Sequence, residues 1–379
     1  MATAKPLVLI TGATGFLGFL TLVELLRSGY RVRAAVRSET KTDNIRKHPL
    51  VSALISESPE GGDRLSFVVV PDLAVPGAFD SAVEGASYVI HLAAPVPSFS
   101  GAATVGPEQY DKYFVQDTVN ATLGILNSCA GAAGAGNDDG GVTGVKRIIL
   151  TSSAVAVIPF AYLAASPEVD YNVRFGPESR QPTPSGPFGS EIEAYSAGKT
   201  AALNAAEEWI ASQQGDRAGF DIVSILSGWT FGRDELVHSA AEMRVRGTNS
   251  VLLGLLLGNK SDWPFNGNAV LAADVARVHV LALNAPQVET KDKRRSQTFV
   301  TSTPIVWEDA VRVVRSEFAA DVEAGRLSVD GKQPTQPIHF DGSNTEEVLG
   351  IKFAPFREAV RQVAALISEF TKPSPRLEN

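Results

Sequence analysis

The sequence predicts a doubly wound α/β fold of the Rossmann type, in which a parallel sheet is partly interleaved with a smaller carboxy-terminal lobe. Three observations predict this fold class. Short apolar segments of strand length alternate with helical apolar patterns over residues 1–226. A glycine-rich turn joins the first strand to the first helix. Beyond residue 226 the alternation is largely lost, which indicates a differently built second part.

Six strands of the sheet follow in order along the chain. The first, at residues 7–10, is followed at once by a helical apolar pattern that ends at Gly29. The other strands are expected at residues 31–36, 65–70, 88–92, 147–151 and 220–226. Most are apolar enough to be buried on both faces, as strands are when crossover helices cover a parallel sheet.

The division of the chain follows from where this alternation stops. Residues 1–226 are expected to form the Rossmann domain, and residues 227–379 mainly a substrate-binding lobe. Residues 272–301, a helical pattern followed by a strand, are expected to return to the Rossmann domain. Residues 131–144, mostly Gly, Ala, Asn, Asp and Val, have the composition of a flexible loop, and the sequence does not indicate its role. A segment rich in Pro, Gly and Ser leads into a helix that begins near Glu193.

Composition and charge argue against several classes of partner. The 34 Lys and Arg residues against 42 Asp and Glu give a net charge of −8, and the tight basic cluster at residues 291–295 is too small to follow a nucleic acid backbone. The apolar run at residues 251–257 is much shorter than the roughly 20 residues that span a bilayer. The single cysteine, Cys129, cannot form an internal disulfide. We therefore expect a cytoplasmic protein that binds neither nucleic acid nor membranes.

Residues 11–18, Thr-Gly-Ala-Thr-Gly-Phe-Leu-Gly, form a G-x-x-G-x-x-G turn between the first strand and the first helix. Gly12 permits the tight turn, Gly15 lets backbone N–H groups approach a pyrophosphate, and Gly18 allows close packing of the helix on the strand. The turn therefore predicts a dinucleotide site. Its cofactor-binding residues are expected to be Thr11, Gly12, Thr14, Gly15, Phe16, Leu17 and Gly18.

The residue after the second strand indicates which dinucleotide is bound. NAD-preferring proteins carry a carboxylate there that holds the ribose 2′-hydroxyl, whereas this chain has Arg37, with Lys41 shortly after it. A carboxylate repels a 2′-phosphate, and a guanidinium binds one through two hydrogen bonds. We therefore predict NADPH as the cofactor, bound by Arg37 with Lys41 assisting.

A tyrosine and a lysine stand four residues apart in the helix after the Pro-rich segment. Tyr195 and Lys199 thus lie one turn apart on the same helix face. A phenol with a pKa near ~10 is a poor acid at neutral pH until a cation stabilises its phenolate, and Lys199 can supply that charge. The fifth strand ends near Ser153, at the carboxyl edge of the sheet. There Ser153 can hydrogen-bond a substrate carbonyl and hold it for Tyr195.

Together these motifs resemble the extended short-chain dehydrogenases/reductases. Within that superfamily they are most similar to the branch of dihydroflavonol and cinnamoyl-CoA reductases and the microbial NADPH-dependent aldehyde and methylglyoxal reductases. The resemblance runs from about residue 12 to about residue 280. Besides the motifs above, it rests on residues 71–73 (PDL), 91–95 (HLAAP), 119–124 (VNATLG) and 274–280 (DVARVHV).

The resemblance implies roles for particular residues. Ser153, Tyr195 and Lys199 are implied to be the catalytic set, with Asn120 as a further member through a water relay. Additional cofactor contacts are implied at Asp72, Leu73, Leu92 and Ala93.

One position departs from the pattern of these enzymes. After the sixth strand they usually carry a proline, where this chain has Ser227. We expect Ser227 and Thr230 to contact the cofactor, in a local geometry that differs from the family's. The substrate is expected to lie against a mostly apolar surface, which favours bulky apolar or aromatic carbonyl compounds. Its contacts are predicted at Pro95, Val96, Ser153 and Trp229.

The sequence favours an NADPH-dependent reductase of aldehydes or ketones, with Tyr195 as the proton donor. Two alternatives stay open. One is a non-catalytic dinucleotide sensor on the same fold, and the other is a nucleotide-sugar epimerase or dehydratase whose diphosphate is held by Arg233, Arg244 and Arg246. The five histidines are widely separated, so no metal is expected. The carbonyl compound, the direction of the reaction and the oligomeric state are not fixed by the sequence.

Overall fold

The computed structural model of the protein describes residues 5–56, 64–99, 103–133, 144–212, 219–285 and 296–372. Its strands in these ranges are β1 Leu7–Thr11, β2 Arg31–Val36, β3 Leu65–Val69, β4 Tyr88–His91, β5 Arg147–Ser153, β6 Arg174–Phe175, β7 Asp221–Ser227, β8 Trp229–Phe231, β9 Phe265–Asn266, β10 Asn268–Leu271, β11 Ser296–Thr301, β12 Thr303–Pro304, β13 Thr335–Gln336 and β14 His339–Phe340. Its α-helices there are α1 Phe16–Arg27, α2 Thr42–Arg46, α3 Pro49–Ser56, α4 Asp117–Ala133, α5 Phe160–Leu163, α6 Glu191–Ala211, α7 Ala240–Val245, α8 Asn249–Leu256, α9 Ala272–Ala282, α10 Glu308–Glu317, α11 Ala319–Glu323, α12 Ser343–Leu349 and α13 Phe356–Thr371. A π-helical segment, Asp111–Gln116, leads directly into α4.

Seven parallel strands form the central sheet of the described chain, in the order β11-β7-β5-β4-β1-β2-β3. The chain leaves β1 for β2 and β3 on one side and then crosses to β4, β5, β7 and β11 on the other. The winding therefore reverses between β1 and β4, where Thr11 lies opposite His91. In such a sheet the carboxyl ends of the strands at the reversal open into the ligand crevice. The predicted Rossmann-type fold is confirmed.

The apolar strands are explained by side chains that cover both faces of the sheet. Successive residues of a strand point to opposite faces, so Ile10 and Leu9 enter different layers. Ile10 belongs to the cluster that contains Phe19 of α1 and Val278 of α9. Leu9 belongs to the cluster that contains Ile125 of α4. The sheet is thus buried between two helical layers.

Several element boundaries differ from those expected. β5 runs to Ser153 and pairs there with Ser227 of β7, so the hydroxyl-bearing residue still belongs to the sheet. α6 begins at Glu191, two residues before the expected start, because Ser190 caps it by accepting a hydrogen bond from the Glu193 N–H at 3.2 Å. The first three residues of the expected loop at 131–144 are the end of α4, and residues 134–143 lie outside the described residues.

The carboxy-terminal part has its own apolar core beside the carboxyl edge of the sheet. Trp307 is fully buried, and the rings of Phe231, Phe265 and Phe356 surround it at centroid distances of 5.6, 5.9 and 6.2 Å. A three-stranded sheet in the order β12-β10-β8 contributes to this core. Helix α9 and strand β11 pack on the central sheet. The domain boundary at residue 226 stays a prediction.

Among the described residues, no helix combines the length and the apolar character needed to cross a bilayer. The basic cluster at residues 291–295 lies outside them.

Candidate active site

The glycine-rich turn has the geometry that a close backbone approach requires. Gly12 adopts φ +77°, and a Cβ placed there would lie 2.9 Å from the Ala93 nitrogen. A Cβ at Gly18 would lie 2.0 Å from the carbonyl oxygen of Gly12. Helix α1 therefore packs against the turn at a contact that is too close for any side chain. Thr14 and Gly15 are exposed at the N-terminus of this 12-residue helix. These features fit the pyrophosphate of a dinucleotide.

The Thr11 side chain holds the turn in place from inside the protein. Its hydroxyl oxygen accepts a hydrogen bond from the Ala93 N–H at 3.1 Å and lies 3.0 Å from His91 Nδ1. Burial, with a smaller contribution from the charge of Lys199, lowers the pKa of His91 to about 3, so this imidazole is neutral. Because Thr11 is fully buried, it joins β1 to β4 rather than presenting its hydroxyl to the crevice.

The residues predicted to bind the adenosine end lie at the carboxyl ends of adjacent strands. Arg37 directly follows β2 and is exposed, and Lys41 ends the 3-10 turn Glu39–Lys41 that comes next. Asp72 is exposed after β3, where its carboxylate accepts a hydrogen bond from the Ala74 N–H at 2.9 Å. β2 and β3 are neighbours, so the structure brings these predicted residues to one edge of the sheet.

Ser153, Tyr195 and Lys199, which we call the catalytic corner, meet at the end of β5. Tyr195 and Ser153 form a side-chain hydrogen bond. The ammonium nitrogen of Lys199 lies 5.9 Å from the centre of the Tyr195 ring and donates to the Thr151 carbonyl oxygen at 3.1 Å. The structure therefore unites the three residues that the sequence predicted to act together.

Burial sets the protonation of the catalytic corner. It raises the pKa of the Tyr195 phenol, and the hydrogen bond with Ser153 only partly offsets it. It also lowers the pKa of Lys199 to about 8. The expected lowering of the Tyr195 pKa by Lys199 is therefore not found, because desolvation of the phenol dominates. At neutral pH the phenol holds its proton and the lysine is mostly charged.

Small residues and hydroxyls fix α6 against the π-helical segment and the turn that follows β5, and the sequence analysis did not identify them. A Cβ at Gly198 would lie 1.9 Å from the carbonyl oxygen of Phe114 in the π-helical segment, so a glycine is required there. The Ser196 hydroxyl donates to the Val155 carbonyl at 2.9 Å, and the Thr200 hydroxyl donates to the Ala156 carbonyl at 3.1 Å. The signal was the run Ser-Ala-Gly between Tyr195 and Lys199, which is unusually small for a helix interior.

A small cavity of about 20 Å³ lies beside Lys199, with the volume of about one water molecule. Thr118 and Thr122 of α4 line it, and so does Ser152, whose hydroxyl is buried and has no hydrogen-bond partner among the described residues. Asn120 lies between the two threonines in sequence but is exposed. The structure thus does not bring Asn120 to Lys199, because two residues along a helix turn the side chain by roughly 200°.

The loop after β4 forms one side of the crevice together with β8. The Phe99 ring lies 5.5 Å from the Trp229 ring in an edge-to-face contact, and we call this pair the aromatic wall. Trp229 also stacks on Phe231 at 6.1 Å. Of the predicted substrate contacts in the loop, Val96 is exposed and Pro95 is half-buried. Both precede Phe99 in the same loop, and their contact with a substrate stays a prediction.

Glu191, in the first turn of α6, holds this loop, and sequence reasoning missed it. Its carboxylate accepts hydrogen bonds from the backbone N–H groups of Ser98, Thr104 and Val105 and from the Thr104 hydroxyl. Burial raises the pKa of Glu191, but these hydrogen bonds outweigh it, and the pKa is lowered overall. The loop that carries Phe99 is thereby tied to the helix that carries Tyr195.

The side chains of Ser227 and Thr230, expected to contact the cofactor, form hydrogen bonds within the protein instead. The Ser227 hydroxyl is buried in the sheet, 2.8 Å from the Thr301 hydroxyl. The Thr230 hydroxyl donates to the carbonyl of Gly228 at 3.2 Å. Both side chains are thus engaged within the protein, so a cofactor contact here would involve the backbone. The indole N–H of Trp229 is buried and has no partner among the described residues.

Residues 8–294 match the model of the NAD dependent epimerase/dehydratase family. The chain belongs to this family. The chain is 35% identical to a ketoreductase of Cercospora beticola over 370 residues, which cover 95% of this chain and 94% of the relative. The expected membership in the extended short-chain dehydrogenases/reductases is confirmed, and the ketoreductase relatives support an NAD(P)-dependent oxidoreductase.

The solved structures that share the fold of this epimerase/dehydratase family member include two reductases. One is yeast methylglyoxal/isovaleraldehyde reductase Gre2 complexed with NADPH, with a TM-score of 0.73 and 22% identity, covering 96% of this chain and 98% of that one. The other is vestitone reductase from alfalfa (Medicago sativa), with a TM-score of 0.63 and 21% identity, covering 96% of this chain and 98% of that one.

Proposed function

We propose that this protein is an NADPH-dependent reductase that converts an aldehyde or ketone to an alcohol, with Tyr195 as the proton donor. The observation that carries the proposal is the catalytic corner. A protonated phenol is hydrogen-bonded to Ser153 at the carboxyl edge of the sheet, with the buried Lys199 one helical turn away. A protein that only sensed the dinucleotide would need the glycine-rich turn but not this arrangement.

The residues act on the carbonyl oxygen of the substrate. The hydroxyls of Ser153 and Tyr195 donate hydrogen bonds to it and polarise the C=O bond. A bound dihydronicotinamide supplies the hydride that the carbonyl carbon accepts. Tyr195 then transfers its proton to the alkoxide oxygen, and the charge of Lys199 stabilises the phenolate that remains. The products are an alcohol and the oxidised cofactor.

NADPH is the proposed cofactor because of the charges at the adenosine end. Arg37 is exposed at the position where a carboxylate would select NADH, and Lys41 adds a second positive charge on the following turn. The NADPH complex of the yeast reductase Gre2, which shares the fold, supports this choice. Losing the contact between Arg37 and a 2′-phosphate should weaken NADPH binding roughly tenfold to a hundredfold.

The aromatic wall supports a bulky apolar or aromatic substrate. Phe99 and Trp229 offer apolar surface in the segments that follow β4 and β7, the strands on either side of β5, and burying such surface contributes roughly 25 cal/mol per Å². The ketoreductase relatives support a ketone as the reacting group.

The nucleotide-sugar alternative receives less support from the arginines proposed to hold a diphosphate. The guanidinium of Arg233 is occupied by Glu235 and Glu369, at 3.3 and 2.9 Å. One of the three predicted ligands is thus committed to two carboxylates of the protein itself, which lowers its attraction for a substrate diphosphate.

The test is a screen of NADPH oxidation over aliphatic and aryl aldehydes, aryl ketones, diketones and keto esters, repeated with NADH. We expect turnover of at least one apolar aldehyde or ketone with NADPH, and a preference for NADPH that Arg37→Ala removes. If purified protein binds NADPH but turns over no carbonyl compound, the reductase proposal fails in favour of a sensor. An unchanged NADPH/NADH preference in Arg37→Ala would overturn the role of Arg37 alone.

A further inference from the structure

A second arginine approaches the dinucleotide site from the carboxy-terminal part of the chain. Arg246 directly follows α7, more than 200 residues after the glycine-rich turn. Its Nη2 nitrogen lies 3.4 Å from the carbonyl oxygen of Thr14. Thr14 immediately precedes Gly15, the residue at the N-terminal cap of α1. A guanidinium thus stands beside the point where the helix offers its N–H groups to an anion.

Two contacts within the carboxy-terminal part hold this guanidinium in place. Arg246 Nε pairs with Asp234 at 3.0 Å, and Nη1 lies 3.5 Å from the Leu236 carbonyl oxygen. Asp234 is itself fixed, because its side chain is only 4% exposed and its other oxygen accepts from the Leu236 N–H at 3.0 Å. The Arg246 side chain, by contrast, is 34% exposed.

The remaining donors of Arg246 can serve an anion. A guanidinium has five N–H donors, and the contacts to Asp234, Leu236 and Thr14 use three of them. Arginine with two donors to spare beside a helix N-terminus is well suited to phosphate oxygens. Thr14 and Gly15 are exposed and Arg246 contacts Thr14 directly, so a pyrophosphate at the turn would be within reach.

We propose that Arg246 binds the cofactor's pyrophosphate from the carboxy-terminal part of the protein. This inference rests on the proposed dinucleotide cofactor, and it assigns Arg246 to the cofactor instead of to a sugar diphosphate. Because the pyrophosphate is common to NADPH and NADH, Arg246 contributes to the affinity for both. Arg37, at the 2′-phosphate, contributes to the choice between them.

The test compares equilibrium binding of four ligands by isothermal titration calorimetry: NADPH, NADH, ADP-ribose and AMP. The first three contain the pyrophosphate, and AMP contains only one phosphate. In Arg246→Ala we expect Kd to rise about tenfold to a hundredfold for NADPH, NADH and ADP-ribose, with an unchanged NADPH/NADH ratio. Kd for AMP should change less than about threefold, since only a fraction of that contact is available to it.

Matched variants separate a ligand contact from a structural one. Arg244→Ala removes an exposed arginine two residues away, on α7, and should leave all four Kd values within about twofold. Arg246→Lys retains the charge and should recover part of the affinity. Arg246→Gln keeps hydrogen-bonding groups for Asp234 and Leu236 without the charge, so a protein that melts like wild type but binds the three ligands weakly supports the proposal.

Several results would overturn the assignment. Wild-type affinity in Arg246→Gln would show that the charge of Arg246 is not used. An equal loss for AMP and ADP-ribose would show that the substitution only disturbs the turn. If wild-type protein binds neither NADPH nor NADH, the proposed function itself fails. Normal binding by the wild type and by all three Arg246 variants removes only this inference.

Discussion

The catalytic corner and the aromatic wall are held in place by different interactions. In the corner, Tyr195 and Lys199 are positioned by hydrogen bonds to named oxygens and by a helix that touches the Phe114 backbone. In the wall, Phe99 and Trp229 are positioned by ring packing, and the indole N–H has no partner among the described residues. The corner depends on directional hydrogen bonds, whereas the wall depends mainly on shape and buried apolar area.

The two regions should therefore respond differently to substitution. Hydrogen-bond geometry and protonation at the corner decide whether the reaction occurs, so small chemical changes there should have large effects on kcat. Packing at the wall decides which substrates fit, and changes of shape there should have graded effects on KM.

The largest effect is expected for Tyr195→Phe. This change removes the proton donor but keeps the ring, so kcat should fall by ~10²–10⁴-fold while NADPH affinity and melting temperature stay near wild type. Steady-state kinetics with the best carbonyl substrate, together with a cofactor titration, check this. A variant that retains more than about a tenth of the wild-type kcat would rule out Tyr195 as the donor.

Lys199→Met should separate function from stability. Burial lowers the pKa of Lys199 from 10.5 to about 8, so holding its charge destabilises the fold by roughly 3 kcal/mol at neutral pH. The hydrogen bond to the Thr151 carbonyl offsets part of this. We expect kcat to fall at least about a hundredfold while the free energy of unfolding rises by about 1 kcal/mol.

The pH dependence of stability should differ between the wild type and the Lys199→Met variant. The unfolded chain binds the lysine proton more tightly than the folded protein, so the destabilisation is full below pH about 8 and disappears as the pH rises towards 10.5. Denaturant unfolding of both proteins over this range should show the wild type gaining stability relative to the variant. Parallel curves would contradict the buried charge.

A smaller effect, mainly on KM, is expected for Glu191→Ala. Losing the carboxylate releases the backbone of Ser98, Thr104 and Val105, so the loop that carries Phe99 becomes less ordered. We expect KM for apolar substrates to rise about threefold to tenfold with kcat within about twofold, because the corner is untouched. Glu193→Ala is the matched control, since that carboxylate accepts from Gly189 within its own helix cap. A fall in kcat with unchanged KM would contradict the separate roles of the corner in kcat and the wall in KM.

The smallest effect is expected for Trp229→Leu. Replacement by alanine would leave a cavity against Phe231 and Trp307 and cost about 3–5 kcal/mol of stability, which leucine partly avoids. With leucine, kcat/KM for aryl ketones should fall a few-fold relative to alkyl ketones, and NADPH affinity should not change. A flat substrate series in both proteins would place the pocket elsewhere.

Much of this account could be predicted from the sequence because its signals are local. The glycine-rich turn, the apolar strands, Arg37 and the spacing of Tyr195 and Lys199 each depend on residues close together in the chain. The loop anchor at Glu191 could not be predicted, because it accepts hydrogen bonds from residues about 90 positions away. The position of Arg246 beside Thr14 is a contact over still greater separation.

The orientation of α4 explains why the role implied for Asn120 finds no support. The motif at residues 119–124 places an asparagine near the site, but packing of α4 decides which of its faces turns inward. Thr118 and Thr122, four residues apart, share the inward face and line the cavity beside Lys199. A water relay through the Asn120 side chain therefore has no support in the geometry.

The proposed function depends on hydride transfer to a carbonyl carbon beside Tyr195. The most direct measurement is mass spectrometry and NMR of the product formed from an apolar ketone and NADPH carrying deuterium at the nicotinamide C4, with each of the two C4 positions labelled in turn. We expect an alcohol with one deuterium on its carbinol carbon from one of the two labelled cofactors, formed in equal amount to NADP⁺, and almost none from the Tyr195→Phe protein. An alcohol without deuterium from either cofactor, or no alcohol from any ketone or aldehyde despite bound NADPH, would contradict it.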